Sequence, residues 1–444
     1  MHKKEIAGST VRATARPEPD SDDPRMWSWV EASVWTDHML GALGNGVRGG
    51  RWHSLIDKVY APQTLWVAWQ RVVANHGAAG IDRMSIERFE ANAERYLAEL
   101  ARALQEGSYQ PDPVRRVHIP KGKGQTRPLG IATVKDRVVQ TALKLVLEPI
   151  FEKDFLPVSF GFRPGRSCKD ALRVVEQALK DGYTWVVDAD LQSYFDTIPK
   201  RPLLALIKEK VSDGKVLGLL KRFLDQEVME GMMRWTPVAG TPQGSVISPL
   251  MSNLYLHGLD QRLSDAGYKY ARFADDFVAL CRTRQEAEAV LATIQAWVEQ
   301  QGLRLNPEKT RVGNCMHKGQ GFEFLGYRFA FGRRWVRAKS RKALRDKIRE
   351  KTARTRSGSL ETIISELNPI LKGWFGYFQH AHRSSFRDVD GFVRRRLRAI
   401  LRKREKRPGF GRTTRDHYRW PNAFFAEHGL FTLHEAHVLA RQSR

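Results

Sequence analysis

Apolar positions recur at helical spacing early in the chain, in the set Leu55, Ile56, Val59, Leu65, Trp66, Trp69, Val72 and Val73. That spacing predicts a helix with one buried face. A second helix is expected from Ser85 to about Gln105, ended by Gly107. The period then changes. Residues 114–120 and 126–131 read as two strands joined by the turn Lys121-Gly122-Lys123-Gly124-Gln125. Helices are expected over about 135–152, from near Pro199, from the Pro/Gly-rich loop 240–249 to about Leu263, and over roughly 285–301. Residues 184–190 read as a buried strand ending in acid, and 322–328 as part of another strand pair. In 270–280 an alternating apolar pattern surrounds two adjacent acids, which predicts two short strands folded back on each other. Two further helical stripes follow. One runs through Leu360, Ile363, Ile364, Leu367, Leu371, Trp374 and Phe378, with Pro369 expected to kink it. The other runs through Phe392, Val393, Leu397, Ile400 and Leu401.

The acids add chemistry to this frame. Asp275 and Asp276 at the tip of a tight hairpin repel each other, and Mg²⁺ with substrate phosphates is the usual remedy. Asp188 and Asp190 share a face of their strand, and Asp190, at the strand end, is the better placed as a ligand. Asp196 reads as a helix cap. The turn around Lys121, and Arg163 and Arg166 in the Gly/Pro turn 159–167, suit phosphate groups. Gln243, in a loop that needs no glutamine, offers an amide to a base or sugar edge. Acids on separate strands, 85 residues apart for Asp190 and Asp275, are the oxygen ligands that two-metal nucleotidyl transfer needs.

Charge sharpens the picture. Lys and Arg outnumber Asp and Glu by 74 to 49 in 444 residues, a net +25 that points to a polyanionic partner. Residues 331–410 carry 24 Lys/Arg against 7 Asp/Glu, so +17 of that surplus lies in 80 residues. Nine cations fall within 394–407, which points to nucleic-acid contact rather than a merely solvated face. The N-terminal 50 or so residues are polar or glycine-rich and are expected to be largely disordered. Cys168, Cys281 and Cys315 have no zinc spacing and read as buried thiols of a reducing compartment. No run of eighteen apolar residues and no secretory signal is present, so an intracellular, cytoplasmic, non-membrane protein is expected.

In order, the chain carries Arg127-Pro128-Leu129-Gly130-Ile131, Gly161-Phe162-Arg163-Pro164-Gly165-Arg166-Ser167, Asp190…Phe195-Asp196 and Thr241-Pro242-Gln243-Gly244-Ser245. Phe273-Ala274-Asp275-Asp276, Leu305-Asn306…Lys309-Thr310 and Phe324-Leu325-Gly326 follow. Each motif is modest alone. Together, from about residue 60 onward, they resemble the reverse transcriptases and maturases encoded by bacterial group II introns. The resemblance implies an α+β right-hand polymerase, with fingers and palm around antiparallel sheet, followed by an α-helical thumb or maturase domain. The implied boundaries are 1–52 for an N-terminal extension, 53–335 for fingers and palm, 336–408 for thumb, and 409–444 for a C-terminal DNA-binding-like segment.

It also implies roles. Asp190, Asp275 and Asp276 match the metal-binding triad beside the Leu191 carbonyl, holding two Mg²⁺ ions, with Mn²⁺ a possible substitute. Phe195 matches the gate that excludes a 2′-hydroxyl; Lys121, Arg127 and Gln243 match nucleotide contacts, and Phe324-Leu325-Gly326 matches the primer grip. Lys309 is expected to support the palm. Arg163, Arg166, Lys372, Arg394, Arg395, Arg396, Arg398, Arg402 and Lys403 are expected to meet template or intron RNA. Implied partners are group II intron RNA, an RNA template with DNA primer, target DNA and deoxynucleotides, with oligomeric state open. The chain departs from the family in having Phe273 where tyrosine is usual. It also lacks the paired cysteines of an HNH endonuclease, so second-strand DNA cleavage is not expected of it. Two alternatives stay open: a splicing cofactor with vestigial polymerase, and a defence, retron or CRISPR-associated reverse transcriptase.

Overall fold

In the computed structural model, residues 27–122, 124–241 and 244–442 are described. Of the N-terminal 50 or so residues expected to be largely disordered, 1–26 lie outside them, whereas 27–50 are ordered, with the helix Asp37–Asn45 and a buried Trp35 whose Nε1 donates to the Leu145 carbonyl at 3.0 Å. Eleven strands follow in chain order among these residues: β1 (Val114–Gly122), β2 (Gln125–Ile131), β3 (Trp185–Asp190), β4 (Val228–Glu230), β5 (Met233–Trp235), β6 (Lys269–Phe273), β7 (Asp276–Cys281), β8 (Arg311–Asn314), β9 (Phe322–Phe324), β10 (Tyr327–Ala330) and β11 (Arg333–Val336). The chain divides into two compact units. The first is Met1–Ser167 with Gln192–Arg262 and Trp297–Arg304; the second is Cys168–Leu191 with Leu263–Ala296 and Leu305–Arg444.

In the first unit a four-stranded sheet runs β2-β1-β4-β5. The β1–β2 hairpin matches the expected strands, and its register shifts between Pro120 and Gly122, at Lys121. Its central helix, Val134–Glu152, is buried along most of its length and is opened by Thr133, whose side chain accepts from the Asp136 N–H. Two long helices read from the sequence are each divided. Pro62 restarts the first, giving Ile56–Tyr60 and Pro62–Ala74, because proline suits a first helical position. Asn92, at φ −138°, divides the second into Ile86–Glu90 and Ala93–Glu106, which Gly107 closes in the left-handed conformation.

In the second unit an antiparallel four-stranded sheet runs β6-β7-β3-β8. The buried Phe277, Val278, Ala279, Leu280 and Cys281 make β7 an inner strand, and the helix Cys168–Lys180 packs against β6. A three-stranded sheet runs β11-β10-β9. Three long helices follow, Ala338–Lys351, Leu360–Phe378 and Ser384–Arg404, the second of them running on through Pro369. The chain ends in Thr414–Arg419, Asn422–Glu427 and Leu433–Gln442. Asp390 caps the last of these, accepting from the Leu433 and His434 N–H groups at 2.9 Å each. Cys281 and Cys315 are buried as expected, whereas Cys168 is half-buried. No helix among the described residues is long and apolar enough to cross a membrane.

Candidate active site and nucleic-acid interface

Strand pairing builds a carboxylate cluster in the second unit. Asp190, the last residue of β3, pairs directly with Asp276, the first residue of β7, and Asp188 pairs with Val278. Side chains directly opposite across strands are near neighbours on one face, so Asp188, Asp190 and Asp276 share a face of the sheet. Asp275 stands beside them in the two-residue link between β6 and β7. Ala274, the first residue of that link, has φ +59°, a conformation glycine normally supplies. Behind the link lies Arg272, only 1 % exposed, whose Nη1 donates to the Ala274 carbonyl at 2.9 Å.

Two cations answer two of the acids. Lys309 Nζ lies 2.8 Å from Asp190 Oδ2, and Arg311 donates from Nε and Nη2 to Asp188 Oδ2 at 3.2 and 3.0 Å. The Asp190 main chain is tied to the same segment, since the Asn306 N–H donates to its carbonyl at 2.8 Å. Leu191, next in the chain, is buried and bridges to Leu305. Burial raises the Asp188 pKa, with Arg311 opposing. Asp276 keeps contact with solvent. Even so, the protein around its carboxyl withholds enough hydration to push it up to about 7, the charges of Asp188, Asp275 and Asp190 adding and Arg337 opposing.

The remaining expected site residues fall in several places. Phe195 is half-buried in the one-turn helix Tyr194–Thr197 of the first unit, its carbonyl accepting from the Thr241 N–H at 2.7 Å. Asp196 lies inside that turn rather than capping a helix, a correction to the sequence reading. Arg127 is exposed on β2 opposite Ile119, and Gln243 lies outside the described residues. Its neighbour Gly244, at φ +101°, approaches the Gly130 carbonyl so closely that a Cβ would stand 2.2 Å from it.

Phe324 is buried at 1 % exposure, whereas Leu325 and Gly326 form the β9–β10 turn, with φ +47° and +83°. Positive φ at both positions makes this the turn type that matches strand twist. The Tyr377 hydroxyl holds the Leu325 carbonyl at 2.8 Å and the Arg337 N–H holds that of Gly326 at 3.0 Å.

Several cations expected to meet nucleic acid are committed to the protein. Arg163 donates to Glu152 and to the carbonyls of Phe155, Leu156 and Ser159. Arg398, 2 % exposed, donates to the Trp420 carbonyl at 2.9 Å and Asn422 Oδ1 at 3.0 Å, and lies over Phe425. Arg402 joins Asp416 and the Pro408 carbonyl, and Arg396 holds Thr352. Arg166 donates to the Pro157 carbonyl at 2.9 Å. Arg394 and Arg395 are half-buried, Arg395 lying over Phe392, while Lys372 and Lys403 are exposed. Sequence reading had not marked Arg272 or Arg311. The signal for Arg272 was an arginine next to the apolar, buried Tyr270 and Ala271 of β6.

The donor set at the sheet tip is all oxygen, which suits a hard divalent cation, and Asp276 is raised there first by desolvation and then by the charges of Asp188, Asp275 and Asp190. Among the described residues no three such side chains are already gathered as a metal cage.

Comparison with known proteins fits this arrangement. The family described as "Reverse transcriptase (RNA-dependent DNA polymerase)" matches residues 119–329, and "Group II intron, maturase-specific domain" matches 341–420. Protein YkfC of Escherichia coli K12 is 36% identical over 316 residues, 62% of this chain and 82% of that protein. Group II intron-encoded protein LtrA of Lactococcus lactis is 37% identical over 214 residues, 48% of this chain and 35% of that protein. A solved partial Cas6-RT-Cas1–Cas2 complex superposes with a TM-score of 0.36 at 25% identity, covering 56% of this chain and 41% of that one. The matched domain and the carboxylate-tipped sheet define an RNA-directed DNA polymerase. Within that class, the chain belongs to the family of group II intron reverse transcriptases and maturases.

Proposed function

We propose that the protein binds group II intron RNA, assists its splicing, and reverse-transcribes it during target-primed insertion, using Asp190, Asp275 and Asp276 as the catalytic carboxylates. The observation that carries the catalytic reading is the direct pairing of Asp190 with Asp276 at a sheet tip, with Asp275 in the adjoining link. These three side chains and the Leu191 carbonyl would hold two Mg²⁺ ions, with Mn²⁺ able to substitute. Bound there, divalent cations would offset the charge of the attacking 3′-oxygen, the α-phosphate and the leaving group. Lys309 and Arg311 hold Asp190 and Asp188 in place.

Phe195 is the residue we assign to deoxynucleotide selection, through the clash its ring makes with a 2′-hydroxyl. Lys121, Arg127 and Gln243 are assigned to the incoming nucleotide, and the Leu325–Gly326 turn, backed by Phe324, to the primer. Lys372, Arg394, Arg395 and Lys403 are the cations we retain for RNA. Fingers and palm are proposed to span 53–335, the thumb 336–408, and a C-terminal segment touching target DNA 409–444.

Asp275→Ala is the test. It should abolish Mg²⁺-dependent DNA synthesis on an RNA template while sparing RNA binding. Full synthesis by that variant would refute the assignment.

A further inference from the structure

A cavity of about 510 Å³ opens in the second unit, walled by the β10–β11 turn, the 379–383 link before the helix Ser384–Arg404, and the last helix, Leu433–Gln442. Four arginines and one glutamate line it. Arg334 is committed: its Nη2 meets Glu176 at 3.1 Å and its Nε donates to the His380 carbonyl at 2.9 Å. Glu176 is therefore already paired. The side chains of Arg333, Arg383 and Arg441 have no hydrogen-bond or ion-pair partner among the described residues. All three are exposed, and each is mounted on a different element.

Their charges converge on His382, whose imidazole is held below its ordinary pKa by burial and then by Arg333, Arg383 and Arg441. That ring is fixed, with Nδ1 2.9 Å from Ser384 Oγ and its face near Trp335. Three like charges gathered around one cavity raise the energy of the free protein, and an anion relieves it. None of these residues belongs to the carboxylate cluster or to the 394–407 run. Arginine forks suit phosphate oxygens, and cations rising from three elements suit successive phosphates of a strand better than one compact ion.

We propose that this cavity is a binding site for a nucleic-acid backbone, with Arg333, Arg383 and Arg441 each meeting a phosphate. The choice of nucleic acid as the phosphate source rests on the polymerase class of the chain. The site is a further grip on that polymer.

The test compares the full-length protein with the triple variant Arg333→Gln/Arg383→Gln/Arg441→Gln and with its lysine counterpart. Binding of a single-stranded RNA is measured against salt in EDTA, so that failure of the metal-dependent polymerase reading leaves this outcome unaffected. The glutamine variant should lose roughly two units of the slope of log K against log salt, from ~0.7 per phosphate contact. The lysine variant should keep most of the slope, showing that charge rather than folding is responsible. An unchanged slope in the glutamine variant overturns the proposal. So does a variant that loses protection by inorganic phosphate in thermal unfolding yet binds RNA normally, which would make the cavity a small-anion site.

Discussion

Asp276→Asn should stabilise the metal-free protein while abolishing or severely reducing DNA synthesis. Asp276 faces Asp190 directly across the ladder, and Asp188 and Asp275 add to the charge that, after desolvation, raises it to about 7 from 3.8. Undiluted by solvent, such a shift corresponds to about 4 kcal/mol. The residue is exposed, and screening scales the gain to about 1–2 kcal/mol. At about 2–4 °C per kcal/mol for a domain of about 200 residues, calorimetry in EDTA at pH 8 resolves that rise. The pH dependence carries the sign. Above about 7 the native carboxyl is ionised and the full cost is present; as pH falls towards the unfolded value the native state takes up the proton first, and the cost fades. The advantage of the asparagine variant should therefore shrink below pH 7 and vanish near pH 4. An asparagine variant less stable at pH 8, or equally advantaged at both pH values, refutes the reading that these acids form an under-compensated cluster.

Two further predictions concern cations. Lys309→Met removes an exposed pair with Asp190 worth about 0–1 kcal/mol, so stability in EDTA should fall slightly and the rise in melting temperature on adding Mg²⁺ should grow; an unaltered Mg²⁺ response would mean that the lysine and the ion do not share Asp190. Arg398→Ala should cost about 2–4 kcal/mol in denaturant unfolding, because it leaves the Trp420 carbonyl and Asn422 without their partner, whereas Lys403→Ala should leave stability unchanged and lower the salt slope of RNA binding; the reverse pattern would exchange their roles.

Much of the second unit was legible because its strands are short apolar runs with acids at their ends. The two apolar runs either side of Asp275 and Asp276 are β6 and β7, buried almost throughout rather than alternating, and the acid at the end of β3 fell where the strand ended. What these runs left open was which acid lies opposite which, because register is set by pairing between segments 85 residues apart in sequence. Both Asp188 and Asp190 carry a cation, Arg311 and Lys309, two residues apart on the neighbouring segment. In the first unit, helical spacing found the apolar faces but not the breaks. Spacing continues across Ala61–Pro62 and Asn92, where only the backbone changes direction. Arg272 escaped notice because its role is to bond the carbonyl of the turn it precedes, a contact that hydrophobic periodicity does not record.

The basic run 394–407 shows why counting charge overstates an interface. Its surplus points to a polyanion partner, and the folded structure divides its members. Arg398 and Arg402 are four apart and so share a face; that face is turned to the chain that follows the helix, where Pro408, Asp416, Trp420 and Asn422 consume their donors. Arg395, on the same stripe, is half-buried over Phe392, whereas Lys403 lies off it and is exposed. Arginine is suited to both tasks, since its planar fork satisfies several carbonyls when buried and grips phosphate when exposed. Among the described residues the side-chain donors of Arg333, Arg383 and Arg441 are unfilled, and these three lie outside the densest run of charge.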